Sequence, residues 1–232
     1  MRVLLLLLAL LLAHPAGAQT FPPLSGRVVD AADLLQPAQE AALDAKLAGL
    51  EQATSRQLVV ATIPSLEGYD IADYGYRLGR HWQIGQSEAN NGAILIVAPN
   101  DRRMRIEVGY GLEGVLTDAL SSQIIREVIT PRFRENDYPG GIDAGVDAII
   151  AQLQAPPEAA EQRAMEAAQA EAGSGEEGGS AWPLIFWIIV IVFIIIPMVR
   201  SGFGGRRYRG GSSGGFSGGG GSFGGGGASG GW

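Results

Sequence analysis

Apolar and polar positions sort into short segments of two periods along the first two thirds of the chain. Arg27-Val28-Val29 reads as a brief strand with Asp30 at its end. Pro37 suits a first helical position, and Leu43, Leu47 and Leu50 share one face of a helix reaching about Ala53. Gln57–Ile63 is apolar and β-branched, the pattern of a buried central strand. Asp70–His81 presents Ile71, Tyr74 and Leu78 at helical spacing. Ala93–Ala98 and Met104–Val108 flank the turn chemistry of Pro99–Arg102 and predict a β-hairpin. Thr117 or Asp118 caps a helix through Ile129, which Pro131 ends; its stripe is Leu120, Ile124, Ile125 and Val128. Tyr138-Pro139-Gly140-Gly141 reads as a turn before a last helix, Ile142–Leu153.

The hairpin organises the rest. Antiparallel pairing brings Asn90-Asn91-Gly92 beside Gly109-Tyr110-Gly111-Leu112-Glu113, with Thr117-Asp118 close behind. One sheet end thereby collects oxygen-bearing side chains and glycines, while the tip carrying Asp101 points the other way.

The ends of the chain read differently. Residues 1–18 form a secretory signal peptide: Arg2, the apolar run Val3–Ala13, and a small-x-small cleavage site at Ala16-Gly17-Ala18. An α/β domain occupies 19–154. Residues 155–181 read as an acidic Ala/Glu/Gly linker; Glu158–Ala172 has helical propensity but no apolar face, which makes the stretch a solvated tether. Trp182–Val199 is long and apolar enough to span hydrocarbon, and Arg200, Arg206, Arg207 and Arg209 follow at once. The expected topology is single-pass in the cell (inner) membrane, with the domain periplasmic and residues 200–232 cytoplasmic. That tail is glycine and serine punctuated by Phe203, Tyr208, Phe216, Phe223 and Trp232. It cannot fold alone, but its aromatics could act as stickers for a partner or a membrane surface.

Charge and composition narrow the chemistry. All 24 acidic residues lie between Asp30 and Glu177, against 11 basic ones in that stretch, which argues against nucleic acid as a partner. There is no cysteine, so no disulfide or thiolate metal site. Gly109-x-Gly111-x-x-Gly114 follows a hairpin strand rather than opening a βαβ unit, which excludes dinucleotide binding. Asp30, Asn91, Glu113 and Asp118 are the candidate ligands of a hard cation, Ca²⁺ or Mg²⁺, because such ions take six to eight oxygens. Each also has a structural reading. Asp118 could serve a helix N-terminus, Asp30 an Asx-turn and Asn91 a turn pair, and Glu113 could be solvated. Arg102, Arg103 and Arg105 form the main basic cluster, either a solvent face protecting an edge or an anion contact. No nucleophile stands in a triad-like context, so the catalytic residues are unknown.

These motifs resemble the TPM domain family. The resemblance is carried by Val29-Asp30, His81-Trp82-Gln83-Ile84-Gly85, Asn91-Gly92, Asp101-Arg102, Gly109-Tyr110-Gly111-Leu112-Glu113 and Leu116-Thr117-Asp118. Pro131-Arg132-Phe133, Tyr138 and Gly140-Gly141-Ile142 extend it to about residue 153. It implies a three-layer α/β/α sandwich around a small mixed sheet, lying outside the cytoplasm. The family's members are linked to photosystem II repair, to modulation of an acetylcholine receptor, to acid phosphatase activity and to calcium binding. For this chain it implies a membrane-anchored, cation-binding accessory protein acting on envelope or membrane proteins, or alternatively a metal-dependent acid phosphatase.

Overall fold

The computed structural model describes residues 19–176 and 223–232. The signal peptide, the apolar segment 182–199, the end of the linker and the tail as far as residue 222 lie outside the described residues. Among the described residues no helix is long and apolar enough to cross a membrane.

Five strands form one mixed sheet in the order β1 to β5. They are β1 (Val28–Asp30), β2 (Gln57–Thr62), β3 (Gly92–Ala98), β4 (Arg103–Gly109) and β5 (Phe223–Gly231). β1, β2 and β3 run parallel, with Val60 opposite both Val28 and Leu95. β4 returns antiparallel to β3, Ala93 facing Val108, which is the expected hairpin. β5 comes from the C-terminus and pairs antiparallel with β4.

Helices cover both faces, which gives the three layers. The helices are α1 (Pro37–Thr54), α2 (Ile71–Trp82), α3 (Asp118–Gln123), α4 (Thr130–Arg134), α5 (Tyr138–Leu153) and α6 (Pro157–Glu176). Leu43, Leu47 and Leu50 of α1 join Ile142, Val146 and Ile149 of α5 against Leu95, Met104 and Ile106 on one face. Ile71, Tyr74 and Leu78 of α2 meet Val59, Ile94 and Ile96 on the other. Both faces of β3 are therefore buried, and its run of apolar residues follows from that. Asp70 caps α2 by accepting from the Ala72 and Asp73 N–H groups.

Three expectations give way. Pro131 does not end the helix that begins at Asp118. Residues Ile124–Ile129 take wide π-helical turns, the Thr130 N–H donates to the Ile125 carbonyl, and the helix continues through Pro131 to Arg134. The wider ladder admits a residue that has no N–H to donate. Tyr138-Pro139-Gly140-Gly141 is the first turn of α5 rather than a free turn, because Asp137 accepts from the Gly140 N–H. The tether begins as the helix α6, which buries Ala160, Ala164 and Ala167. A face of alanines is too weakly apolar to show in a hydropathy pattern, yet Ala167 reaches the core that includes Leu120.

Candidate functional site

The four oxygen-bearing candidates are not brought together. Asn91 precedes β3 at the sheet end where Gly111 donates its N–H to the Asn90 carbonyl, as the hairpin requires. Asp30 lies at the opposite end, because β1 runs parallel to β3 and its last residue stands level with Thr62 and Val97, beside the hairpin tip. There it accepts from the Leu34 and Leu35 N–H groups at 3.1 and 2.8 Å, and from the Thr62 hydroxyl. Asn91 is also committed: its Oδ1 accepts from the Gln86 N–H and its Nδ2 donates to the Ser55 carbonyl. The Asx-turn and turn-pair readings describe these two residues. Among the described residues no three acidic or imidazole side chains stand close enough to hold an ion. The set does not fit a Ca²⁺ or Mg²⁺ centre.

Glu113 and Asp118 remain near one another, and what they flank is the C-terminal strand. The Gly227 N–H donates to Asp118 Oδ1 at 2.6 Å. A β-carbon on Gly226 would stand 2.8 Å from Glu113 Oε1. The acidic rim thus borders the groove that β5 occupies along β4.

The floor of that groove carries charge. Arg105 and Glu107 alternate with Met104, Ile106 and Val108, so they face away from the main core, toward α2. Both are buried, at 4% and 0% exposure. Arg105 Nε donates to Glu107 Oε2 at 2.5 Å. Among the described residues its two remaining nitrogens are met by the tail: Nη1 donates to Ser229 Oγ at 2.9 Å, and Nη2 to the Gly225 and Gly226 carbonyls. Burial pushes the Glu107 carboxyl up to about 7, with Arg105 pulling the other way. Glu107 Oε1 has no partner among the described residues. Arg105 is therefore no part of a solvent face; the tip cluster is Arg102 and Arg103 only, both exposed.

Two aromatic side chains fasten the strand at its ends. Phe223, 1% exposed, packs into the smaller core against Gly79, whose β-carbon would lie 2.8 Å from the ring. Gly75, one turn earlier, leaves room for Arg105, Glu107 and Ile96. At the other end Trp232 packs on the opposite face, edge-on to Phe133 at 4.7 Å and to Tyr138 at 5.9 Å. At several glycines between the anchors a side chain has little room. A β-carbon on Gly224 would meet Tyr110, and one on Gly230 would meet Ile125. Gly225, with φ of 82°, lies where the register slips by a bulge opposite Val108 and Gly109, and Gly227, opposite Glu107, has φ of 116°. A tail that is low-complexity by composition is a shaped ligand in this groove.

A profile of the TPM domain (TPM_phosphatase) matches residues 28–152, more than half of the 232-residue chain. The chain belongs to the TPM domain family. The N-terminal domain of a Porphyromonas gingivalis protein is similar in sequence and structure to this TPM domain. The two are 37% identical over 55% of this chain and 81% of that one, with a TM-score of 0.52. The BA42 protein of Bizionia argentinensis is 20% identical over 51% of this chain and 81% of its own, TM-score 0.46. The N-terminal domain of cg2496 from Corynebacterium glutamicum is 15% identical over 60% and 88%, TM-score 0.45. No curated protein matches. The profile stops before α6 and β5, so the tail-filled groove combines a TPM sheet with a strand from outside the matched region.

The groove was missed because its halves are far apart in numbering and its strand reads as a flexible tail. The signals were Gly75 and Gly79 at one-turn spacing within a helix, and two charges on a strand whose other positions are apolar. The spaced aromatics gave the remaining hint.

Proposed function

We propose that this TPM domain is a non-catalytic accessory module of the cell envelope that works by accepting an extended segment along β4. The observation that carries this reading is the seat of residues 223–232: main-chain pairing along the edge, aromatic anchors at both ends, and a buried arginine satisfied by the incoming strand. Main-chain pairing supplies affinity and the anchor pockets supply selectivity, the usual division in strand addition. The alternative, a metal-dependent acid phosphatase, draws no support from Asp30, Asn91, Glu113 and Asp118, because Asp30 lies at the opposite end of the sheet from Asn91.

The seat also bears on membrane topology. A tail carried across a membrane by one crossing could not reach β4 of its own chain. We therefore place the domain and residues 223–232 on the same, extracytoplasmic side, with the apolar segment 182–199 holding the protein at the membrane between them.

The test uses the full chain with Phe223→Ala and Trp232→Ala, which empties the groove without touching the hairpin. A synthetic peptide of residues 221–232 is then added. Saturable binding that restores slow hydrogen exchange to the β4 amides is the expected result. No binding, together with hydrolysis of a phosphomonoester that Asp118→Asn abolishes, would replace this reading with the enzymatic one.

A further inference from the structure

The groove need not be filled by its own chain. The strand that fills it lies at the edge of the sheet, paired on one side only, so it can be added or released from the side. Residues 177–222 connect it to α6, and the stretch 200–222 that follows the apolar segment has a contour length on the order of 75 Å. That exceeds the length of any strand in the sheet. Nothing in the seat itself distinguishes donor from host: the hydrogen bonds from Arg105, the contact of Asp118 with Gly227 and the pockets for Phe223 and Trp232 all lie within the groove.

We propose that the C-terminal strand is exchanged between copies, the β4 edge of one chain taking residues 223–232 of a second. This rests on the strand-accepting reading above and names its occupant. Each chain has one donor strand and one acceptor edge, so two chains that exchange strands satisfy both and close as a symmetric pair. Contacts within the groove are the same in either arrangement, so local concentration sets the balance. The long connection dilutes a chain's own tail to roughly millimolar or below. Chains held side by side at a membrane compete effectively at that level. The glycine pattern makes the exchange selective. A strand bearing side chains in place of Gly224 or Gly230 would collide with Tyr110 or Ile125, and one in place of Gly227 with the Ile106 carbonyl, so these positions select against an unrelated tail while a second copy of this one fits.

The chain has no cysteine, so single cysteines report cleanly. Arg103 stands opposite Gly231 in the register and both are exposed. The full chain is prepared as R103C, as G231C, and as the double variant. The double variant, oxidised at high dilution, should form an internal bridge, which tests whether the tail is seated at all. Mixed R103C and G231C chains should form a bridge between two chains. Its yield should rise with concentration and fall at least tenfold when the G231C chain also carries Phe223→Ala and Trp232→Ala. An internal bridge with no bridge between chains at any concentration overturns exchange and leaves the strand-accepting reading standing. Absence of both bridges overturns the two together. A bridge between chains that is indifferent to the anchor substitutions reflects collision and also overturns exchange.

Discussion

The ring of Phe223 lies where a side chain on Gly79 would begin, 2.8 Å from the position of its β-carbon. A residue of the tail and a residue of the second helix therefore share one volume, and only glycine at position 79 lets both exist. Gly79→Ala should raise the intrinsic stability of α2 by about 1 kcal/mol while overpacking the Phe223 pocket by about 1–3 kcal/mol. The expected outcome is selective: roughly tenfold or greater loss of tail docking with an unchanged or higher melting temperature. Hydrogen exchange at residues 223–232 and thermal denaturation read the two effects separately. A protein that loses both together would show that Gly79 serves the whole fold rather than the groove.

Docking should weaken as pH rises. Burial raises the Glu107 carboxyl from 4.5 to about 7 in the folded chain, and because Gly227 of the tail is its partner across the sheet, release of the tail is expected to lower it again. Between those values the docked state holds a proton that the released state gives up, so docking and stability both fall with rising pH there and level off above it. The change should be on the order of 1–3 kcal/mol across the window. Glu107→Gln should flatten it. Urea midpoints at about pH 5 and about pH 8 measure the effect, and a midpoint that increases with pH in the parent but not in Glu107→Gln contradicts the sign.

Asp30 should behave as a structural residue. It accepts two backbone N–H groups and the Thr62 hydroxyl at the end of β1. Asp30→Ala leaves those donors unmet and should cost about 1–3 kcal/mol. Calorimetry with Ca²⁺ and Mg²⁺ should give the same isotherm for the parent and for the variant at a temperature where both are folded. A cation affinity lost specifically with Asp30→Ala would restore the sheet-end ion site.

The side of the membrane occupied by the tail can be read directly. Ser87 and Gly231 are both exposed, one on the domain and one on β5. With single cysteines at either position, a membrane-impermeant maleimide applied to intact cells should label both without permeabilisation of the inner membrane. Labelling of Ser87→Cys alone would place the tail across the membrane, where the groove cannot hold it.

The hairpin, its register and the helices from Pro37 and Asp70 were legible in the sequence because each is encoded locally. Apolar residues at period two or 3.6, a Pro at a first turn and an Asp at a cap act within a few residues of themselves. The motifs from Val29-Asp30 to Gly140-Gly141-Ile142 likewise identified the family, since their order along the chain needs no coordinates. Strand direction was not local. Asp30 sits at the far end of the sheet from Asn91 because β1 runs parallel to β3, and no residue within β1 states that. The tail posed the same problem in stronger form. Phe223 and Trp232 have no apolar neighbours in sequence, so a reading by composition leaves them in solvent. Their burial is decided by Gly79, Phe133 and Tyr138, side chains that meet them only once the sheet has formed. Periodicity reports the free energy a segment gains from its own amphipathic face. A strand whose stability comes from the partner edge and from pockets on other elements shows itself only in three dimensions.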